Sequence, residues 1–224
     1  MCERYVTPQP AQVDHELAPA RSWWQFRQSF NVAPTRNVPV IRLHDGSSEG
    51  VMMRWGLVPS WAEGDPARAS YPTLAGSQLE RSSIARTAWL ASQRCLLPAA
   101  GFYLWQRVPK GYRQPFFVYL EEQPVLAIAG LWDRSVSEDD DVIESCAMLT
   151  MAPDEALSQR HGAVPQVPVV LGAQEQQQWL RGTPAQAKAL LQAARMPRWA
   201  SHAVSPRVNS LQHDDAALTG AVTS

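Results

Sequence analysis

The chain has 224 residues, a length that suits one large domain or two small ones. Twenty Lys and Arg residues are balanced by 21 Asp and Glu, a formal net charge of −1, which excludes a polycation that holds nucleic acid by bulk charge and leaves only a local basic groove. Hydrophobic residues make up 45% and charged residues 18%, so the chain is predicted to fold rather than to be disordered.

Short runs of branched and aromatic residues, bounded by turn-forming residues, predict strands along most of the chain. These runs are Val38–Leu43, Val51–Val58, Pro115–Leu120, Val125–Trp132, Ile143–Met151 and Val167–Leu171. The acidic stretch Val136–Asp141 separates two of them and is predicted to be a solvated hairpin loop.

Helical patterns are predicted at Ser82–Ser92, Pro153–Gln159, Gln174–Leu180 and Pro184–Ala194. The last is the best defined, because Thr183 is a preferred N-cap and Pro184 suits the first helical position. Strands outnumber helices and do not alternate with them, so we predict an α+β fold with a mostly antiparallel, barrel-like sheet and flanking short helices. No stretch has the composition of a linker, and the expectation is one domain over residues 1–224.

Three cysteines, Cys2, Cys95 and Cys146, are too few and too irregularly spaced for a disulfide framework or a zinc ribbon, so a reducing compartment is expected. The segment Met1–Tyr5 is charged and lacks the apolar core of a signal peptide. No apolar run approaches the roughly 18 residues of a membrane span. The prediction is a cytoplasmic protein with no membrane partner.

Cys2 is a candidate nucleophile because of its position. Removal of Met1 would leave the α-amine and the thiol of one residue side by side, with ordinary pKa values of about 7.7–8.0 and about 8.5. An aldehyde condenses with such an amine to an imine, and the neighbouring thiol then closes a thiazolidine ring intramolecularly. The alternative is an ordinary small residue after the initiator.

His161 has the most suggestive context of the five histidines, in a turn-like stretch between a predicted helix and a predicted strand. An imidazole there could move a proton, since its ordinary pKa is about 6.5. The alternative is a loop histidine without function. The spacings of His and Cys predict no metal site, and the glycine patterns of nucleotide hydrolases, Rossmann enzymes and serine hydrolases are absent, so no cofactor is expected.

Several segments, in order, resemble the SOS response-associated peptidase (SRAP) family, whose members form covalent adducts with abasic sites in single-stranded DNA. The segments are Met1–Tyr5, Asn31–Thr35, Arg54–Trp61, Arg94–Trp105, Pro115–Phe117, Ala129–Trp132, Leu149–Thr150, His161 with Pro165, Val169 and Leu171, and Val204–Ser205 with Val208–Asn209. Each segment is weak alone, but the ordered set spans nearly the whole chain.

The resemblance implies roles for individual residues. Cys2 would be the nucleophile and His161 the proton shuttle. The pocket and a cleft for an unstacked strand would be shaped by Asn31, Pro34, Trp55 and Trp61. The first arginines to test as phosphate ligands would be Arg54, Arg94 and Arg160, although a structural ion pair is an equally good explanation for each. For Trp55 and Trp105, a place in the core is equally plausible.

The sequence also departs from the family pattern. The glutamate common in the family's Gly-Phe-Tyr-Glu-Trp is Leu104 here, and the usual Asn-Ala-Arg-x-Glu is Leu74-Ala75-Gly76-Ser77-Gln78. The sequence therefore predicts a sensor of abasic sites in single-stranded DNA that keeps the nucleophile and the histidine. Two alternatives stay open: a degenerate DNA-binding module that forms no adduct, and a cysteine peptidase using Cys2 and His161.

Overall fold

The computed structural model describes residues 4–62, 70–107, 111, 113–136, 140–162, 164, 166–194 and 198–222. Within these ranges, twelve strands are arranged in two sheets. The strands are β1 (Tyr5–Val6), β2 (Arg21–Ser22), β3 (Asn37–His44), β4 (Ser47–Trp55), β5 (Thr73–Ala75), β6 (Arg94–Ala99), β7 (Gly101–Arg107), β8 (Arg113–Tyr119), β9 (Leu126–Val136), β10 (Val142–Met151), β11 (Val167–Pro168) and β12 (Ala200–Ala203).

Five of these strands close into a barrel. β10, β9, β6, β3 and β4 pair antiparallel in that order, and a parallel pairing of β4 with β10 completes the ring. β2, β5 and β11 extend the same sheet. The predicted α+β class with a mostly antiparallel, barrel-like sheet is thereby confirmed. Closure removes the free sheet edges that an open sheet would expose.

The second sheet has four antiparallel strands in the order β1-β7-β8-β12. Alternate residues of its strands face opposite sides, as the two-residue period of a strand requires. Phe102, Leu104 and Val118 join the apolar core that fills the barrel, whereas Tyr103 and Phe117 pack with Val204, Val208 and Leu218 on the other side.

In the described part of the chain five short α-helices accompany the sheets: α1 (Pro10–Glu16), α2 (Arg86–Leu90), α3 (Glu155–His161), α4 (Ala173–Arg181) and α5 (Pro184–Ala193). α2, α4 and α5 bury Trp89, Trp179 and Ala187 against the outer surface of the barrel. The predicted cap of the last helix is confirmed, because the Thr183 side chain accepts a hydrogen bond from the Gln186 amide and Pro184 is the first helical residue.

Several predicted bounds were wrong for local reasons. The helix predicted at Ser82–Ser92 is limited to α2, and Ser92 just beyond it has φ +55°, which ends the helix. The strand predicted at Val51–Val58 ends at Trp55, because Gly56 adopts φ +125°, outside the strand region. Residues 137–139 of the predicted acidic loop lie outside the described residues; its ends join β9 to β10, which pair from Val136 and Val142 onward.

Candidate active site

His161 is the last residue of α3 rather than part of a turn, which corrects the sequence expectation. The helix begins after Asp154, whose carboxylate accepts a hydrogen bond from the Leu157 amide, and it ends where Gly162 adopts φ +73°. Such a glycine terminates a helix because it tolerates positive φ without strain. This placement turns the imidazole inward, and His161 is only 4% exposed.

The imidazole of His161 contacts a serine and an aromatic ring. Its Nε2 lies 2.9 Å from Oγ of Ser201, and its ring meets that of Phe116 edge to face, 4.7 Å between centroids. Nδ1 is buried and has no hydrogen-bond partner among the described residues. Burial lowers the pKa of His161, and the charge of Arg160 lowers it further. The imidazole is therefore neutral near pH 7.

Leu104, which the sequence resemblance places at the family's glutamate position, belongs to the apolar core. It lies on β7 directly opposite Phe116, is 5% exposed, and faces the barrel core together with Phe102. Leu74, at the family's asparagine position, is buried against the helices that cover the barrel. Packing in these apolar clusters accounts for both side chains.

Cys2, the predicted nucleophile, lies outside the described residues. The first described residue, Arg4, is held beside β7, since its carbonyl accepts a hydrogen bond of 3.0 Å from the Tyr103 amide. Tyr103 immediately precedes Leu104, and Leu104 faces Phe116, which the His161 ring contacts. The start of the described chain and the histidine are thus attached to neighbouring positions of one sheet.

Asn31 is buried and joins the chain start to the C-terminal segment. Its Oδ1 accepts a hydrogen bond of 2.9 Å from Arg4, and its Nδ2 lies within hydrogen-bond distance of the carbonyls of Val208, Ser210 and His213. Asn31 also lines a cavity of about 310 Å³, whose wall includes Arg27 and Arg36.

Pro34 is half-buried three residues beyond Asn31. Its predicted contact with a DNA strand, like that of Asn31, stays a prediction.

The two tryptophans predicted to line a cleft have different environments. Trp55 is 0% exposed inside the barrel, where its Nε1 donates to the Pro72 carbonyl at 2.9 Å and its ring packs edge to face on Tyr5. It has no surface to offer a DNA base, which corrects the expectation that it shapes the cleft. Trp61 is 52% exposed, with Nε1 donating to the Ser83 carbonyl, and remains available for stacking.

Arg94 is a structural residue and not a phosphate ligand. It is 3% exposed, and its guanidinium donates to the carbonyls of Trp179 and Gly182 at the C-terminal end of α4. Carbonyls at a helix end lack partners within the helix and carry partial negative charge, so a cation there is favourable. This burial overturns the prediction that Arg94 contacts DNA.

Replacing Arg94 with Met should lower the free energy of unfolding by about 2 kcal/mol, because two buried carbonyls lose charged donors. Denaturant unfolding followed by tryptophan fluorescence measures the change. Arg160→Met is the matched control, since Arg160 is exposed, and it should change stability by no more than about 0.5 kcal/mol. A stable Arg94→Met protein that fails to bind DNA would contradict the structural role.

Arg54 and Arg160 lie in separate places. Arg54 donates to the Gly56 carbonyl and to Ser70 Oγ and lines a shallow cavity with Asn37 and Glu144. Arg160 precedes His161 and donates to the Trp199 carbonyl. Their predicted phosphate contacts are compatible with this geometry and stay predictions.

A larger cavity, about 870 Å³, lies beside the histidine. Its lining includes Arg160, Arg198, Tyr119, His202 and Ser201, with Glu121 and Glu122 on the hairpin beyond β8. Ser201 links this cavity to the buried imidazole.

Sequence reasoning missed Ser201 and Arg198, since Ala200–Ala203 lacks the branched residues typical of a strand. The available signal for Ser201 was the two-residue period of a strand, because it puts Ser201 and the His202 side chain on opposite faces.

Among the described ranges, no group of three or more His, Cys, Asp or Glu side chains has the geometry of a metal site. The helices in those ranges are all too short or too polar to cross a bilayer.

The fold and the site together define an α+β barrel domain with a buried, neutral histidine packed against the sheet that holds the start of the chain. The chain belongs to the SOS response associated peptidase (SRAP) family, whose sequence profile matches residues 1–211.

Relatives of the chain include the abasic site processing protein YoqW of Bacillus subtilis, 28% identical over 198 residues that cover 87% of this chain and 86% of the relative. The abasic site processing protein HMCES of Gallus gallus is 29% identical over 222 residues, covering 85% of this chain and 65% of the relative.

Among solved structures, a protein from Bacteroides thetaiotaomicron superposes with a TM-score of 0.85 at 15% identity over the full length of both chains. One from Bordetella bronchiseptica gives 0.75 at 22% identity, covering 91% of this chain and 100% of the other. At these identities the likeness concerns the fold alone.

Proposed function

We propose that this protein captures abasic sites in single-stranded DNA through a covalent link to Cys2 once Met1 has been removed. Its membership of the SRAP family and the names of its relatives support processing of abasic sites. The observation that carries the proposal is a neutral, buried His161 with an unpartnered Nδ1, packed on the sheet that also binds Arg4. Arg4 is two residues beyond the proposed nucleophile.

The proposed reaction balances without a cofactor. The α-amine of Cys2 adds to the aldehyde carbon of the opened abasic sugar, and the resulting carbinolamine loses water to give an imine. The thiol sulfur then adds to the imine carbon, and the thiol proton passes to the nitrogen. One thiazolidine and one water result for each cross-link. A neutral imidazole is suited to both proton transfers, because it can accept a proton and return it.

The DNA strand would bind to exposed groups of the described residues. Trp61 offers an open aromatic face for base stacking, worth about 1–3 kcal/mol per base. Arg160 and Arg198 line the large cavity beside His161 and are the cations proposed to meet phosphates there. Phosphate binding by these arginines should weaken as salt rises, because each phosphate contact releases counterions from the DNA.

The test is incubation with a single-stranded oligonucleotide that carries one abasic site. The wild-type protein should give a heat-stable band of reduced mobility on a denaturing gel, and Cys2→Ser should give none. Cys95→Ala is the matched control, since Cys95 is fully buried and burial raises its pKa well above the usual range, so adduct formation should persist. An adduct that forms equally with Cys2→Ser would overturn the proposal.

A second candidate function is DNA binding without an adduct. The burial of Leu104 supports it, because this part of the site lacks the carboxylate common in the family. This candidate predicts retention on a native gel only, with Cys2→Ser binding as tightly as wild type. A peptidase is less well supported: His161 has no carboxylate or amide partner among the described residues that would orient it.

A further inference from the structure

Ser201 reaches His161 because of the register of the four-stranded sheet. On β12, Ser201 lies opposite Val118 and Ala203 lies opposite Phe116. Paired residues of antiparallel strands point to the same face, so Ser201 shares the face of Phe116, whose ring contacts the imidazole. His202 points the other way and packs on Phe117 and Tyr119. The Ser201 hydroxyl is thereby directed at Nε2 of His161.

The position of the single N–H of the neutral imidazole follows from the partners of its two nitrogens. If Nδ1 carried the hydrogen, a buried N–H would have no acceptor among the described residues, at a cost of about 1–3 kcal/mol. If Nε2 carries it, the N–H donates to Ser201 Oγ at 2.9 Å and only a lone pair at Nδ1 is left unpaired. Orphaned N–H groups are rarer in proteins than under-used acceptors.

We propose that Ser201 is a positioning residue that fixes His161 as the Nε2–H tautomer and so makes Nδ1 the nitrogen that accepts the proton. This inference rests on the proposed function for its catalytic meaning, since the proton comes from the amine or thiol that adds to the aldehyde. The bond to Ser201 would take the place of an orienting carboxylate, a group that Leu104 does not supply.

The cavity beside β12 completes the arrangement. Ser201 is half-buried and lines that cavity, so its own hydroxyl hydrogen can be directed into the open space while Oγ accepts from Nε2. A hydroxyl is both donor and acceptor and can therefore hold the imidazole without becoming charged. Alanine at position 201 would remove the only described hydrogen-bond partner of the ring.

The direct test is nitrogen NMR of the full chain labelled with ¹⁵N-histidine, in which bare and hydrogen-bearing ring nitrogens have well-separated shifts. A His161→Gln spectrum assigns the signal. Wild type should show His161 with its hydrogen on Nε2, Ser201→Ala should show a mixture of tautomers, and Ser201→Thr, which keeps the hydroxyl, should restore the wild-type pattern. Ser205→Ala is the control, because that hydroxyl lies at a surface turn and binds the Arg207 amide.

Adduct formation provides the second measurement. Ser201→Ala should slow it by about 10–100-fold, the size of effect found when the group that orients a metal-bound histidine is removed, and Ser201→Thr should recover most of the rate. A wild-type His161 with its hydrogen on Nδ1, or an unchanged tautomer and rate in Ser201→Ala, would overturn the inference. A clear tautomer change without any adduct from wild type would instead uphold the positioning role and reject the proposed function. Because the tautomer of wild-type His161 is itself predicted, the test survives a Ser201 variant that fails to fold.

Discussion

Trp55→Ala should lower the free energy of unfolding by about 3–5 kcal/mol, because it leaves a cavity in the barrel core where a fully buried indole was packed. The variant loses the hydrogen bond from Nε1 to the Pro72 carbonyl as well as the edge-to-face contact with Tyr5. The Pro72 carbonyl keeps its hydrogen bond from the Met148 amide, so most of the loss comes from the emptied volume. Urea unfolding followed by circular dichroism measures the change.

Trp61→Ala is the matched control for Trp55, since it removes the same side chain from the surface. Its stability should stay within about 0.5 kcal/mol of wild type, while its affinity for single-stranded DNA should fall by about 1–3 kcal/mol. Urea unfolding measures the stability, and fluorescence titration with an oligonucleotide at fixed salt measures the affinity for DNA. The burial of Trp55 would be contradicted if its alanine variant kept wild-type stability and lost only DNA affinity.

Leu104→Glu, which introduces the carboxylate common in the family, should destabilise the protein by about 3–5 kcal/mol near neutral pH. The position is buried opposite Phe116 in the core, so the variant loses apolar burial and must desolvate an ionised group. Burial should raise the pKa of the new carboxyl in the folded state above its unfolded value. Thermal and denaturant unfolding measure the stability.

The pH dependence of this variant follows from that raised pKa. The folded state binds the carboxyl proton more tightly than the unfolded state, so the variant should be least destabilised below the unfolded pKa of about 4.3 and should lose further stability as pH rises through the folded pKa.

Leu104→Gln is the matched control for the charge. It has nearly the same shape as Glu and should add no pH dependence to that of wild type. Equal pH profiles for the Glu and Gln variants would show that position 104 is solvated and contradict its burial.

Four strands could be predicted closely from local sequence because branched and aromatic residues are concentrated in them, whereas the barrel strand β6 was not predicted. β3, β8, β9 and β10 overlap the predicted runs closely. By contrast, β12 has the sequence Ala-Ser-His-Ala and takes its strand conformation from pairing with β8. Such pairing is a tertiary effect that local propensity does not contain. Ser201, which contacts His161 from this strand, was therefore not predicted from the sequence.

The candidate site shows the same division between residue type and environment. His161 could be selected from its sequence context, but its position at the end of α3 depends on Gly162, and its neutral state depends on burial. Trp55 and Trp61 are the same residue type six positions apart, and one lies inside the barrel while the other lies at the surface. Arg94 was indistinguishable from a phosphate ligand until the carbonyls at the end of α4 were located.

The many partners of β10 have a consequence for biosynthesis. This strand bonds to β9 and β11 nearby in the sequence but also to β4 and β5, whose residues precede it by about seventy to ninety positions. The barrel cannot close until β10, which ends at residue 151, has left the ribosome. Until then the backbone groups at the edges of the earlier strands are unpaired. During that interval the nascent chain is the form most exposed to aggregation and most dependent on chaperones.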